Sequence, residues 1–240
     1  MAITFNVGSH CPNFMLMHNL SLVDSFSPVM NHISSFHDHA MMIVIFIMSL
    51  VSHSFISIIF TGQFTRSMKS SEVLETFWTI IPCVILTTLA APSLTTLYML
   101  DEIIDPFVTL KVIGHQWYWS YEFEDLNLNQ YNSYMTPTSE LKVGDFRLLE
   151  VDKSVKIPVN CESRVIISST DVVHSWTVPS MGVKIDAIPG RLNQTSLLPS
   201  RVGKVYGQCS EMCGAMHSFM PISLEVTHLD DFIEFMNKLS

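Results

Sequence analysis

Two stretches of this chain contain no Asp, Glu, Lys or Arg: Ala40 to Thr61, "AMMIVIFIMSLVSHSFISIIFT", and Phe77 to Leu100, "FWTIIPCVILTTLAAPSLTTLYML". As helices, each reaches about 30 Å or a little more, the thickness of a bilayer core. A buried helix of a water-soluble protein rarely stays uncharged on every face for so long. The stretches are therefore read as transmembrane helices. Pro82 and Pro92 would break a soluble helix but can kink one in lipid, where neighbours satisfy the freed carbonyls. His53 lies mid-span with nothing nearby to complete a site, so it is read as packed or facing a partner helix.

These spans divide the chain into a lead-in (1–39), a first span (40–61), a loop (62–76), a second span (77–100) and a remainder (101–240). The loop holds Arg66 and Lys69, the only basic residues of the first 110. The positive-inside bias puts that loop on the negative side of the membrane and both termini opposite. The first span begins too far along the chain, and lacks the basic flank, to look like a secretory signal. Residues 101–240 carry 18 acidic and 11 basic side chains. Such an exterior disfavours nucleic acid and steers a basic partner toward it.

Beyond the membrane the texture changes to short β-type runs bounded by Pro, Gly and Asn. "VTLKVIGHQWYWSYEF", "FRLLEVD", "RVIISSTDVVHSWTV", "GKVYGQC" and "MPISLEVTH" read as strands of a small all-β sandwich or barrel. In "LDDFIEFMNKLS", Leu229, Phe232, Ile233 and Met236 recur at helical spacing with acids first and Lys238 last, which predicts a terminal amphipathic helix. The lead-in shows no clear period and is expected to be irregular.

Near the end, "YGQCSEMCGAMHSFMP" gathers Cys209, Cys213, His217 and Met220 into twelve residues. The preceding strand, Gly214 and Pro221 argue for a compact loop rather than one helix face. Thiolates with imidazole suit zinc or copper, and an added thioether favours copper. His174 in "DVVHSWTVP" supplies a remote imidazole. One copper held by two His, one Cys and one Met leaves a cysteine over. Two coppers bridged by both thiolates use it, with His174 and His217 capping one metal each and Met220 and the Glu211 carbonyl completing the set. A Cys209–Cys213 disulfide and a structural zinc are the plainer alternatives. Cys11, Cys83 and Cys161 are scattered and make no framework.

"GHQWYWSYEF" places Trp117, Trp119, Tyr121 and Phe123 on one face of a strand. Such a face is usually core. An exposed Trp beside a redox metal would also admit electrons, and Glu122, Glu124 and Asp125 would hold a basic donor there.

"FHDHAMM", "ETFWTIIP", "APSLTTLYMLDE", "GHQWYWSYEF", "PTSELKVGDFRLLEVD", "DVVHSWTVPSMGVKIDAIPGRLNQT" and "YGQCSEMCGAMHSFMPI" together resemble the subunit II family of mitochondrial cytochrome c oxidases, over residues 22 to 236. The resemblance implies a two-helix transmembrane hairpin in the mitochondrial inner membrane. It also implies an all-β cupredoxin-like Greek-key sandwich in the intermembrane space that holds the dinuclear copper centre called CuA. Carried over, the copper ligands are His174, Cys209, the Glu211 carbonyl, Cys213, His217 and Met220. The resemblance further implies a magnesium at the Glu211 carboxylate shared with subunit I, electron intake from cytochrome c at Trp117, and a proton path mouth near Glu75. It assigns cytochrome docking to Glu122, Asp125, Asp152 and Asp171. Oxygen reduction and proton translocation belong to the complex and its other subunits, not to this chain. Asn132 stands where the family pattern has an acid.

The rival from another class is a membrane-tethered copper chaperone or thiol oxidoreductase, which also uses two Cys and a distant His. It calls for open coordination and a thioredoxin-like alternation of strands and helices, whereas this chain adds Met220 and offers few helices after residue 101. A quinol oxidase subunit of the same architecture would lack the copper donors.

Overall fold

The computed structural model describes residues 22–62, 70–101, 103, 105–123 and 130–239. Arg66 and Lys69, on which the orientation of the hairpin rests, and Glu124 and Asp125 lie outside the described residues, as do residues 1–21. The chain divides into two compact units, His32–Leu100 and a second one built from the segment up to Asn31 together with Asp101–Ser240.

Helix α1 runs from Pro28 to Thr61. Its first residues were expected to be irregular. They are helical because Ser27 caps the end, its hydroxyl accepting the Met30 N–H at 3.0 Å, and Pro28 occupies the first helical position. The Asp38 and His32, His37 and His39 positions break the apolar period and hide this turn from a sequence reading. At 34 residues α1 is about 51 Å long. That exceeds the roughly 30 Å bilayer core.

Helix α2 runs from Glu72 to Asp101, starting earlier than Phe77 because the Ser71 hydroxyl accepts the Leu74 N–H and Glu72 and Glu75 sit in the first turn. Pro82 and Pro92 lie within it. Thr76, Thr79, Thr87, Thr95 and Thr96 each donate a hydroxyl to the carbonyl four residues back, so these hydroxyls are satisfied inside the helix. Ile45, Phe46, Phe60, Trp78, Leu86 and Tyr98 are exposed. Apolar surface this extensive is covered by lipid or by other helices.

The second unit is a sandwich of β1 (Val108–His115), β2 (Tyr118–Phe123), β3 (Tyr131–Ser133), β4 (Val155–Pro158), β5 (Ser163–Ser169), β6 (His174–Val178), β7 (Val183–Ala187), β8 (Asn193–Leu197), β9 (Gly203–Gln208) and β10 (Pro221–Thr227), closed by α3 (Leu229–Leu239). One sheet has the order β3-β2-β1-β5-β8, a second β4-β10-β9, and β6-β7 form a ribbon. β1 pairs parallel with β5, and β10 parallel with β4, so the connections cross between layers as in a Greek-key sandwich rather than meander. Period-two burial builds the core: Leu110 and Val112 of β1 pair with Phe123 and Tyr121 of β2, and Ile222, Leu224 and Val226 come from β10. Phe123 meets Phe232 of α3 edge-on with centroids 5.9 Å apart. Of the expected helical stripe, Phe232 and Met236 are buried while Leu229 and Ile233 are exposed.

Three runs read as single strands are not. "VTLKVIGHQWYWSYEF" folds into a hairpin, with Gln116 and Trp117 forming the turn between β1 and β2. No Gly or Asn announces that turn; it is held by a long-range bond from the Gln116 N–H to Asp171. "FRLLEVD" becomes turns, with Leu148 at φ 67° and only Val151 bridging to Met135. "RVIISSTDVVHSWTV" splits at 170–173 into β5 and β6, which belong to different sheets. Ahead of α1, Phe26 is buried in this unit, its N–H donating to the Ser180 carbonyl at 2.8 Å and its carbonyl accepting the Ser200 N–H.

Candidate metal centre

Residues 209–220 connect β9 to β10. Because Gln208 pairs with Pro221 at the sheet end, Cys209 and Met220 leave and rejoin the sheet side by side. Gly207 brings this hairpin onto β6: a Cβ there would lie 1.8 Å from the Thr177 carbonyl oxygen, so only glycine allows the approach. The Ser210 N–H then donates to the Ser175 carbonyl at 3.1 Å, which seats the start of the loop beside His174. A 3-10 turn over His217–Phe219 returns the chain to Met220.

The loop and His174 of β6 together bring in every donor named from sequence. Cys209 Sγ lies 3.9 Å from His174 Nδ1, 3.4 Å from the Glu211 carbonyl oxygen and 4.0 Å from Cys213 Sγ. Cys213 Sγ lies 3.4 Å from His217 Nδ1 and 3.6 Å from Met220 Sδ. The ligand atoms of His174, Cys209 and Cys213 lie within 4.8 Å of one another, and all three residues are buried. The sulfurs are too far apart for a disulfide, which needs about 2.05 Å. Their separation is less than twice a first-row metal–thiolate bond of about 2.3 Å, so one ion can touch both. Two thiols, two imidazoles and a thioether are soft or borderline donors, and the set fits copper.

Met220, Cys213 and His174 are each held from behind. The Trp119 indole N–H donates to the Met220 carbonyl at 3.1 Å, and its ring meets His174 edge-on at 5.8 Å. The Gln116 amide donates to the Cys213 carbonyl at 2.8 Å. His174 Nε2 lies 2.9 Å from an oxygen of Asp171.

These contacts set the protonation pattern of the metal-free site. Burial works against the Cys209 thiolate, yet hydrogen bonds from His174 and the loop backbone bring it down to about 7. Burial and the neighbouring Cys209 charge push Cys213 up to about 12. Burial works against a charged His174, but Cys209 and Asp171 hold it above the ordinary histidine value. Asp171, despite burial, is pulled below the usual carboxylate range by His174 and by the Val172 and Gln116 N–H groups.

The remaining candidates fall in different places. Trp117 is half-buried in the β1–β2 turn, outside the strand face expected for it, and its indole rests against Gly214, the neighbour of Cys213. The Glu211 carboxylate is on the exposed side of the loop, accepting the Met212 N–H at 3.1 Å. Glu122 is ion-paired with Lys111 at 3.2 Å. Asp152 is exposed and accepts the Tyr134 N–H. Asn132 bonds the Ser120 hydroxyl and donates to the Tyr134 hydroxyl. Glu75 is exposed in the first turn of α2. Not legible in the sequence are the roles of Gln116 and Trp119 and the bond between His174 Nε2 and the Asp171 carboxylate. Only the position of Asp171, three residues before His174, could have hinted at them.

The family model "Cytochrome C oxidase subunit II, periplasmic domain" matches residues 108–227, and the transmembrane-domain model of the same family matches residues 15–96. The chain is 50% identical over 223 residues to cytochrome c oxidase subunit 2 of Yponomeuta malinellus, covering 93% of this chain and 98% of that one. It is 50% identical over 219 residues to the Drosophila melanogaster protein of the same name, covering 91% and 96%. Among solved structures it is similar to the periplasmic domain of subunit II of cytochrome oxidase from Bradyrhizobium japonicum. That match has 40% identity and a TM-score of 0.54, covering 57% of this chain and 96% of that one. A second is subunit II of cytochrome c oxidase captured as a mixed disulfide with a thioredoxin-like protein, at 39% identity and a TM-score of 0.51, covering 58% and 94%.

Proposed function

The chain belongs to the cytochrome c oxidase subunit II family, and from that premise we propose that it is the electron-carrying subunit of the oxidase. It takes electrons from reduced cytochrome c at a dinuclear copper centre and passes them to the haem of subunit I. In this reading it lies in the mitochondrial inner membrane with both termini and the copper domain in the intermembrane space. Its electrons feed the oxygen reduction and proton translocation of the complex.

One observation carries the proposal: four donors meet around two thiol sulfurs 4.0 Å apart, six donors in all. A single four-coordinate ion leaves donors unused. A copper pair would use them all, held by His174, Cys209, the Glu211 carbonyl, Cys213, His217 and Met220. Bound there, the copper pair supplies a one-electron carrier whose geometric change is spread over many bonds. The chain's own residues do the rest. Burial of Cys209, Cys213, His174 and Met220 keeps water from the donors. The Gln208–Pro221 pairing and the Trp119 and Gln116 bonds fix the loop, so little rearrangement accompanies a change of charge. Trp117, lying on Gly214, offers the donor protein a π-surface next to Cys213.

Docking by the basic cytochrome falls to Glu122, Asp125, Asp152 and Asp171, whose charges tune encounter rate and its salt dependence. The exposed Glu211 carboxylate is assigned to a magnesium shared with subunit I, and Glu75 to the mouth of a proton path. The all-β domain, with α3 as its one long helix among the described residues, gives no support to the chaperone or thiol oxidoreductase alternative.

The equivalent domain of a relative crystallises by itself, so residues 101–240 serve for the test. Copper-loaded domain mixed with reduced cytochrome c in a stopped-flow instrument should oxidise it rapidly, and W117A should keep its copper while oxidation slows at least tenfold. Equal rates for the two proteins would remove Trp117 from the path. No oxidation by the wild-type domain would overturn the function.

A further inference from the structure

Resting on the reading of His174 as a copper ligand, we infer that Asp171 is a positioning residue of the centre, one carboxylate that fixes both the His174 imidazole and the turn carrying Trp117. One oxygen, Oδ1, lies 2.9 Å from His174 Nε2, and the other, Oδ2, accepts the Gln116 N–H at 2.6 Å. The two bonds have separate consequences. A neutral imidazole carries its proton on one nitrogen only, and a carboxylate at Nε2 keeps the proton there. Nδ1, which faces Cys209 Sγ at 3.9 Å, is then left with a free lone pair for a metal. The second bond holds the backbone of Gln116, whose amide side chain reaches the Cys213 carbonyl and whose neighbour Trp117 lies on Gly214. Asp171 is thus a strut between the outer turn and the buried ring.

The strut has no freedom of its own. Oδ1 also accepts the Val172 N–H at 2.6 Å and lies 3.2 Å from the Ser169 hydroxyl, and the Asp171 N–H donates back to that hydroxyl oxygen. On the far side of the ring a Cβ at Gly114 would fall 2.8 Å from His174 Cδ2, so the ring lies flush against the β1 backbone, with Trp119 at its edge. Carboxylate, backbone and indole together leave one orientation. His217, whose Nδ1 faces Cys213 Sγ, has no carboxylate partner among the described residues, so the two imidazoles are held unequally.

A charge that only helped the cytochrome dock would not need this geometry, and the difference is measurable in the full chain in detergent. D171L should lower copper affinity 10–100-fold. By removing a hydrogen bond that raises ligand basicity, it should also shift the oxidised-to-reduced ratio about tenfold toward the reduced form, about 59 mV for one electron. In the metal-free chain, at a pH high enough to leave His174 neutral, long-range proton–nitrogen NMR should show it protonated at Nε2 in the wild type and in mixed tautomers in D171L. D171N, which keeps the shape but sets an amide N–H against the Gln116 N–H if its oxygen stays on His174, should fall between the two and covers a failure of D171L to fold. G114A, which changes no charge, should alter the copper absorption spectrum. Wild-type potential, copper affinity and tautomer in D171L and D171N, with only the salt dependence of cytochrome c oxidation changed, would overturn the inference. A wild-type chain that fails to take up copper would instead overturn the functional reading, and the tautomer would still decide the role of Asp171.

Discussion

Trp119→Phe separates what the core does for stability from what it does for the metal loop. Trp119 is fully buried, and its indole N–H is given to the Met220 carbonyl at 3.1 Å. Phenylalanine keeps an aromatic ring facing His174 but leaves that carbonyl without a donor, a loss of about 1–3 kcal/mol. It also leaves a void where the indole was larger, adding about 1–2 kcal/mol. The sum, about 2–5 kcal/mol, corresponds to a fall in Tm of roughly 5–15 °C for a domain of this size. The assay is thermal unfolding of the copper-loaded domain by circular dichroism, with copper release to a chelator followed in parallel. Release should quicken, because Met220 has lost its tether. Trp176→Phe is the control: also fully buried, its N–H meets only the Tyr121 hydroxyl, at 3.5 Å. It should lower Tm while copper release stays at the wild-type rate. An unchanged Tm for W119F, or equal release from both variants, would mean that the Trp119 bond does not hold Met220.

Three further outcomes follow from the same contacts. In the metal-free domain Cys209 ionises near pH 7 and Cys213 near 12, so its thiolate fraction rises through neutrality while that of Cys213 stays small. Alkylation mapped by mass spectrometry should therefore mark Cys209 first, with a midpoint near pH 7, and equal labelling would contradict this. E211Q keeps the backbone carbonyl and loses only the carboxylate charge, so copper content and colour should match the wild type while binding of magnesium, or of manganese in its place, weakens in the assembled oxidase; loss of copper would count against the carbonyl assignment. Glu150 is buried and receives both the Tyr206 hydroxyl and Lys204. E150A should destabilise the domain by about 1–3 kcal/mol in urea unfolding without changing the copper spectrum, and a neutral result would mean that the cluster is solvated.

The parts legible in the sequence are those set by local pattern. Uncharged runs mark α1 and α2, the alternation of Ile222, Leu224 and Val226 marks β10, and the apolar spacing of Phe232 and Met236 marks α3. The gathering of donors in residues 209–220 was legible because they are chemically unusual and close in sequence, and His174 because the donor count asks for a remote imidazole. What failed depends on contacts between distant residues. The turn at Gln116 and Trp117 is held by Asp171 rather than by turn residues, so it looks like continuous strand. The cap at Ser27 precedes a polar turn of α1 whose period is masked by histidines. Leu148 takes a left-handed conformation that leucine seldom adopts, so "FRLLEVD" reads as a strand when it is a set of turns. Asp171 is legible as an exposed acid, but the sequence does not show that both of its oxygens are engaged by His174 and Gln116.

Electron paramagnetic resonance of the copper-loaded domain, with copper counted per chain, distinguishes two thiols that serve two metals at once from two that hold a single ion. Two coppers per chain are expected, with hyperfine splitting from one unpaired electron shared equally by two copper nuclei. One copper per chain with splitting from a single nucleus, or a preference for zinc, would contradict this.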